Sequence, residues 1–282
     1  MSCQLPVHQP TLIKLSIHHR TTYRYGWPVS LGPHRLILRP RESRDLRLVS
    51  SEIRVTQAAA VTWAQHVFGN AVATATFQTM ADTLVFDIAA SAIFYPFRYS
   101  DDEWTDLGAL TVQQYPDPAG QLRDWAQAFV RANPTDTLAL LKDLCAGISI
   151  WIAYQSREDE GTQPPIRTLE RRLGSCRDFA VLFAEAARCL GFGARIVSGY
   201  LYHPDQIIAA SSDAGSTHAW AEVFVPGAGW ITFDPTNRSV GGANMIPVAV
   251  ARDIRQAIPV SGSFVGTANA FQGMSVEVRV TS

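Results

Sequence analysis

The sequence predicts an α+β protein: an N-terminal all-β domain, a sandwich or open barrel, followed by a core of helices and antiparallel strands. Three observations carry this reading. From Thr11 to about Phe97, short stretches rich in β-branched and aromatic residues recur, several alternating with period two. From Gln121 to Gly191 apolar residues recur mainly at spacings of three and four, the helical period. Beyond Gly191 strand patterns return, two of them joined by Pro226-Gly227-Ala228-Gly229. The 282 residues are enough for roughly two domains at about 150 residues each.

In chain order, Leu12–Ile17, Leu46–Val49 and Leu84–Ile88 read as strands. Turn signals separate such strands at Tyr25–Pro28, at Gly32-Pro33 and at Gly69-Asn70, the last suited to a tight hairpin. Residues 1–100 form this β domain, and 101–120, with Asp101-Asp102-Glu103 and Tyr115–Pro118, form the connection. Residues 121–282 form the core and include a closing strand, Val276–Val280. Helices are expected over Gln121–Ala132 and Thr137–Tyr154, separated by Pro134, with Thr135 or Asp136 as N-cap. Arg157–Pro165, charged and proline-containing, reads as a surface loop, and Ala194–Tyr202 as a strand.

Composition narrows the function. Hydrophobic residues make up 47% and charged residues 17%, which argues against disorder. The net charge of -1 lacks the positive excess of a nucleic-acid binder. No apolar run reaches membrane-spanning length, since Lys142 and Asp143 interrupt Leu138–Ala153. Met1–Pro10 shows no secretory signal pattern. Cysteines at 3, 145, 176 and 189 form no C-x-x-C pair, so reduced thiols in the cytoplasm are expected. Arginines 35, 39, 41, 44, 47 and 54 help give residues 1–100 ten basic against five acidic side chains; they read as a solvated strand face or as a docking patch for an acidic partner.

The chemistry concentrates in Gly174–Gly191. Ser175 and Asp178 form a variant capping box, and Gly191 can take the left-handed conformation that stops the helix. Cys176 therefore falls in the first helical turn, where free N–H groups and the positive dipole end favour the thiolate, the nucleophilic form. Cys189 lies roughly 20 Å along the same helix and reads as a core thiol, as does Cys145; Cys3 lies near the terminus. A thiolate requires a base, and the base an orienting acid. His218 opens one strand of the hairpin and Asp234 closes the other; opposing His218 with Thr236 makes Asp234 a same-face diagonal neighbour of the histidine. A Cys at a helix start, a His opening a strand and an Asp closing its partner match the roles of an acyl-transfer triad.

These segments resemble the bacterial transglutaminase-like family. Gly174–Ala180 is similar to its nucleophile segment, Gly191–Tyr200 to the strand that follows, and His218–Val223 and Gly229–Asn237 to its histidine and aspartate segments. Thr21–Tyr25, Pro28–Ser30 and Phe68–Asn70 resemble the companion N-terminal domain. The tail Ala251–Ile254 resembles one in which Gly and Tyr ordinarily stand at 251 and 254. The resemblance implies a papain-like core with Cys176 as nucleophile, His218 as general base and acid, and Asp234 orienting the imidazole. It implies cysteine-dependent amide chemistry on a peptide or protein, with water or a primary amine as acceptor, and no metal or organic cofactor. The alternative is a catalytically silent binding module on the same fold. The oxyanion would draw on the backbone N–H of Cys176. Tyr154 or the adjacent Gln155 would supply a side-chain donor, with Trp220 as a cleft wall. Lys14 and Lys142 are the only lysines, so self-cross-linking would find few acceptors.

Overall fold

The computed structural model describes residues 12–43, 46–94, 107–131, 135–156, 161–202, 217–242, 244–267 and 269–282. Cys3, Arg44, Asp101-Asp102-Glu103 and Pro134 lie outside the described residues. The elements of the first half are β1 (Ile13–Leu36), β2 (Leu46–Val55), β3 (Ala59–Gln65), β4 (Ala71–Phe77) and β5 (Met80–Phe94). Then follow α1 (Leu107–Leu110), α2 (Gln121–Gln127), α3 (Thr137–Trp151), β6 (Ala153–Tyr154), α4 (Pro165–Arg171), β7 (Leu173–Gly174) and α5 (Cys176–Cys189). The chain ends with β8 (Ala194–Leu201), β9 (His218–Val225), β10 (Gly229–Asp234), β11 (Ser239–Val240), β12 (Met245–Ala251), β13 (Val260–Val265) and β14 (Phe271–Thr281). Among the described residues no helix is long and apolar enough to cross a membrane.

β1 organises the N-terminal sheet because it bends. Its pairing with β5 breaks between Arg24 and Val29, across Gly26-Trp27-Pro28, where proline offers no N–H to the ladder. Its first half lies between β5 and β14, and its second between β4 and β13. The result is a near-barrel whose interior holds Val29, Leu36, Leu38, Leu84, Phe86 and Ile88. Each such fully buried aliphatic or aromatic side chain contributes about 1.5–3 kcal/mol.

Two expectations are corrected here. Tyr25–Pro28 and Gly32-Pro33 do not separate strands; both lie within β1, at the breaks in its pairing between Arg24 and Val29 and between Leu31 and His34. The closing strand does not belong with the core sheet: β13 and β14 return to pair with β1, so the C-terminus completes the N-terminal layer.

The core is a five-stranded sheet in the order β11-β10-β9-β8-β12. α5 packs on it and is buried along its length from Asp178 to Arg188, which fits a helix enclosed by β9 on one side and by α2, α3 and α4 on others. Gly191, at φ +87°, ends α5 as expected, with Phe192 N–H bonded to Ala187 O and Gly191 N–H to Arg188 O. Asp136 caps α3, its Oδ1 accepting from Ala139 N–H at 2.6 Å. α2 ends at Gln127 rather than Ala132, and α3 at Trp151 rather than Tyr154.

The near-barrel seats against β8 and β12 through Leu15, Ile17, Tyr200, Ile246 and Val248. Asn70 fastens this contact. Its Nδ2 donates to Val250 O at 2.7 Å and its Oδ1 accepts from Val250 N–H at 2.9 Å, so one side chain pairs with β12 as a strand would. The Arg41 guanidinium donates to Asn70 Oδ1 and to Phe68 O and locks the turn. Arg41 is thus a structural clamp, not part of a solvated face.

Candidate active site

The site forms where the start of α5 meets the ends of β9 and β10. Gly174 and Ser175 lead into α5 under tight constraint. A Cβ at Gly174 would stand 3.1 Å from both Asp178 Cβ and the Phe179 ring. Asp178, fully buried, accepts from Ser175 N–H and Ser175 Oγ, both at 2.9 Å. Its other oxygen accepts from Gln163 N–H at 2.7 Å. Gln163 also donates to Leu173 O at 3.0 Å and accepts from Arg171. Helix cap, preceding strand and the 163 loop are thereby pinned together, and Cys176 emerges half-buried in the first turn.

His218 reaches the same place from the sheet. The pairs Thr232↔Glu222 and Phe233↔Ala221 bring the end of β10 alongside the start of β9, so Asp234 closes its strand beside the one that His218 opens. His218 Nε2 lies 2.9 Å from Asp234 Oδ2, and the Cys176 side chain is close enough to the ring to raise its pKa. With Nε2 engaged by the carboxylate, Nδ1 is the nitrogen left for sulfur. Burial opposes the charged ring, but Asp234 and Cys176 outweigh it and raise His218 to about 9.

Asp234 is fully buried, yet its pKa is lowered. Burial works against ionisation, and the bonds from His218, Asn237 and the Thr236 N–H overcome it. Asn237 Nδ2 donates to Oδ2 at 2.7 Å, and the Thr236 N–H to Oδ1 at 3.0 Å. Cys145, on α3, lies near this carboxylate; burial first and Asp234 second push its thiol up to about 12. Cys189 accepts from Gln113 Nε2, and burial raises it to about 11.

Cys176, His218 and Asp234 are therefore brought together. Tyr154 and Gln155 reach the nucleophile segment by backbone, not in a helix: β6 pairs in parallel with β7, Tyr154 beside Gly174, and Gln155 N–H donates to Gly174 O at 2.9 Å. The Tyr154 ring stands edge-on to the buried Phe179 at 6.1 Å, and Tyr154 and Gln155 are themselves exposed. Trp220 departs from its expected place. At 1% exposure it lines no open cleft; it stacks behind His218 and packs with Val197, Met245 and Val250 over Gly199. Its indole N–H has no partner among the described residues.

Three contributors escaped the sequence reading. Asn237 was signalled by Asp-Pro-Thr-Asn, an Asx-turn pattern in which the aspartate binds the N–H two residues on. Gln163 lay in what read as a surface loop. α4, capped by Arg172 in the left-handed conformation at φ 50°, turns the chain into β7. Among the described residues no group of three or more His, Cys, Asp and Glu side chains could hold a metal ion.

Comparison with known proteins adds independent findings. Residues 97–235 match the family described as the transglutaminase-like superfamily, and residues 15–92 the bacterial transglutaminase-like N-terminal region. An uncharacterised protein of Mycobacterium tuberculosis (strain H37Rv) is 28% identical over 290 residues, covering 93% of this chain and 91% of its own. An uncharacterised protein of Mycobacterium leprae is 32% identical over 105 residues, so that match spans only 37% of either chain. The crystal structure of a candidate cysteine protease from Cytophaga hutchinsonii superposes with a TM-score of 0.75 at 19% identity, covering 96% of this chain and 92% of the other. At that identity the likeness speaks for the shared fold.

Proposed function

This chain belongs to the transglutaminase-like superfamily, and from that premise we propose that it breaks or exchanges amide bonds of a peptide or protein through a thioester on Cys176. The observation that carries the reading is His218 held at 2.9 Å by a buried carboxylate, with the Cys176 side chain near enough to act on its ring.

In the first step the Cys176 thiolate attacks the substrate carbonyl carbon, and the C=O π electrons move onto oxygen. The Cys176 backbone N–H, free in the first turn of α5, is a donor for that oxyanion. Collapse of the intermediate breaks the C–N bond, and the imidazolium of His218 gives its proton to the departing amine or ammonia. Asp234 keeps Nε2–H engaged, so the ring presents Nδ1 to the sulfur throughout. Water or a primary amine then attacks the thioester, with His218 taking the proton, and yields the acid or a new amide. The near-neutral charge agrees with a peptide rather than a nucleic-acid substrate, and the cysteine spacing, without a C-x-x-C pair, with a cytoplasmic setting.

The test is the iodoacetamide alkylation rate of each cysteine, resolved by peptide mass, against pH. Fast labelling of Cys176 below pH 7 that is lost in His218→Ala is expected, with Cys145 and Cys189 lagging as internal controls. Slow labelling of Cys176, unchanged by that substitution, would overturn the enzyme reading and leave a silent module on this fold.

A further inference from the structure

The near-barrel leaves one edge unguarded. β3 ends the strand order β2-β5-β1-β4-β3, and among the described residues it pairs only with β4. Ala60–Gln65 are exposed on both faces. Exposed edges are normally blunted by charge, proline or a bulge. β3 has none of these: its register with β4 is unbroken from Ala59 to Gln65, and Val55–Ala81 contains no Asp, Glu, Lys or Arg. β2, at the other end of that order, carries Arg47, Glu52 and Arg54, and β14 carries Glu277 and Arg279.

The hydrogen-bond phase of β3 can be read from its turn. His66 N–H donates to Asn70 O at 2.9 Å, so 66 and 70 form a hydrogen-bonded pair. Antiparallel ladders alternate such pairs, which makes Ala64/Val72, Thr62/Thr74 and Ala60/Thr76 the bonded ones. The N–H and C=O groups of Ala59, Val61, Trp63 and Gln65 then face the open edge.

We propose that β3 pairs antiparallel with β3 of a second copy of this chain, about a two-fold axis through Thr62. That axis sets Val61 opposite Trp63 of the second copy, and Ala59 opposite Gln65, as the hydrogen-bonded pairs, with Thr62 opposite its own copy between them. On one face each Trp63 then lies against a Val61, an aromatic and β-branched pair of the kind that stabilises sheets. Both are exposed in the single chain, Trp63 at 49% and Val61 at 36%, and the Arg39 guanidinium sits 6.0 Å from the indole centroid. A strand without charge sets up no repulsion when opposed to its own copy, and a two-fold contact closes at two subunits. The interface is small, at the weak end of specific association.

The experiment is sedimentation velocity of the full chain over a concentration series from about 1 to 500 µM, a range suited to a small interface. The expected result is a mass rising from one chain toward two. Thr62→Lys, which opposes two lysines on the axis, and Val61→Pro, which removes an edge-facing N–H and spares the β4 ladder, should each weaken dimerisation at least tenfold. Both variants should keep the parent's thermal midpoint within a few degrees and its Cys176 alkylation rate. A single-chain mass at every concentration overturns the proposal, as does a dimer that neither variant weakens or a monomer whose edge captures a different protein.

Discussion

Replacing Asp234 by Asn asks whether the site needs a carboxylate or only a group of that shape. The neighbours bonded to this side chain all approach as donors: His218 Nε2, Asn237 Nδ2, and the N–H groups of Thr236 and Asn237. An amide has one accepting end and one donating end. Turned with its nitrogen toward His218, it opposes the imidazole and the Asn237 amide; turned the other way, it opposes two backbone N–H groups. Either orientation leaves a buried donor pair unmet, at about 1–3 kcal/mol per group. The charge adds to this. His218 stands at about 9 against an ordinary 6.5, a preference for the imidazolium of about 3 kcal/mol at 1.36 kcal/mol per unit, shared between Asp234 and Cys176. Losing half of it or more lets the imidazolium give up its proton between about pH 6.5 and 8, so its population at pH 8, and with it the alkylation of Cys176 through the ion pair, falls by about two- to thirtyfold. The assay is peptide-resolved alkylation from pH 5 to 9, with Asn237→Ala as the milder variant that keeps the carboxylate. An Asp234→Asn protein that alkylates at the parent rate, with the parent pH dependence, would refute the assignment of the carboxylate to imidazole control.

Three further outcomes follow from the same contacts. Asn70→Ala strips Val250 of both its side-chain partners and removes one acceptor of Arg41, and should lower stability by about 2–4 kcal/mol in urea unfolding. Arg188→Met leaves the buried Glu185 carboxylate without its cation and the carbonyls of Leu110, Ala194 and Arg252 without a donor. A loss of about 3–5 kcal/mol is expected in the same assay; adding Glu185→Leu should recover only part of it, because the Gln114 and Tyr115 N–H groups also bond to Glu185. The thermal midpoint should peak near neutral pH. His218, raised to about 9, contributes stability that is complete below its unfolded value of 6.5 and is lost as pH rises through 9. His19, lowered by burial to about 4, contributes stability that is complete above 6.5 and is lost as pH falls toward 4. A midpoint flat from pH 4 to 10 would contradict both shifts.

What was legible in the sequence shares one property: its signal is local. The Ser175–Asp178 cap, the Gly191 stop, the Asp136 cap and the hairpin across Pro226–Gly229 each depend on residues within a few positions of one another. Each triad residue stands at the end of an element, where such punctuation is written. What was not legible is held by distant partners. β14 lies some 250 residues from β1, and alternation tells which face of a strand is buried but not which strand it joins. Trp220 was expected as a cleft wall beside the histidine; the missing side chain of Gly199, where a Cβ would stand 2.7 Å from the indole, makes room for a buried ring there instead.

The same distinction bears on how the site is built. Local punctuation delivers Cys176, His218 and Asp234 to one end of the sheet, but does not hold them there. Gln163 reaches Asp178 across a loop and a helix. Arg188 ties α5 to Leu110 in the connecting segment and to Arg252 after β12. Asn70, from the near-barrel, bonds to Val250 within that same β12. β12 in turn flanks β8, and β8 flanks the strand that begins with His218. The N-terminal layer is thus mechanically continuous with the histidine strand, through one amide side chain and two ladders. Cys176, by contrast, is anchored separately, through the bonds of Asp178 to Ser175 and Gln163. Perturbing the clamp should therefore act first on the alignment of base and nucleophile, and only then on the nucleophile helix.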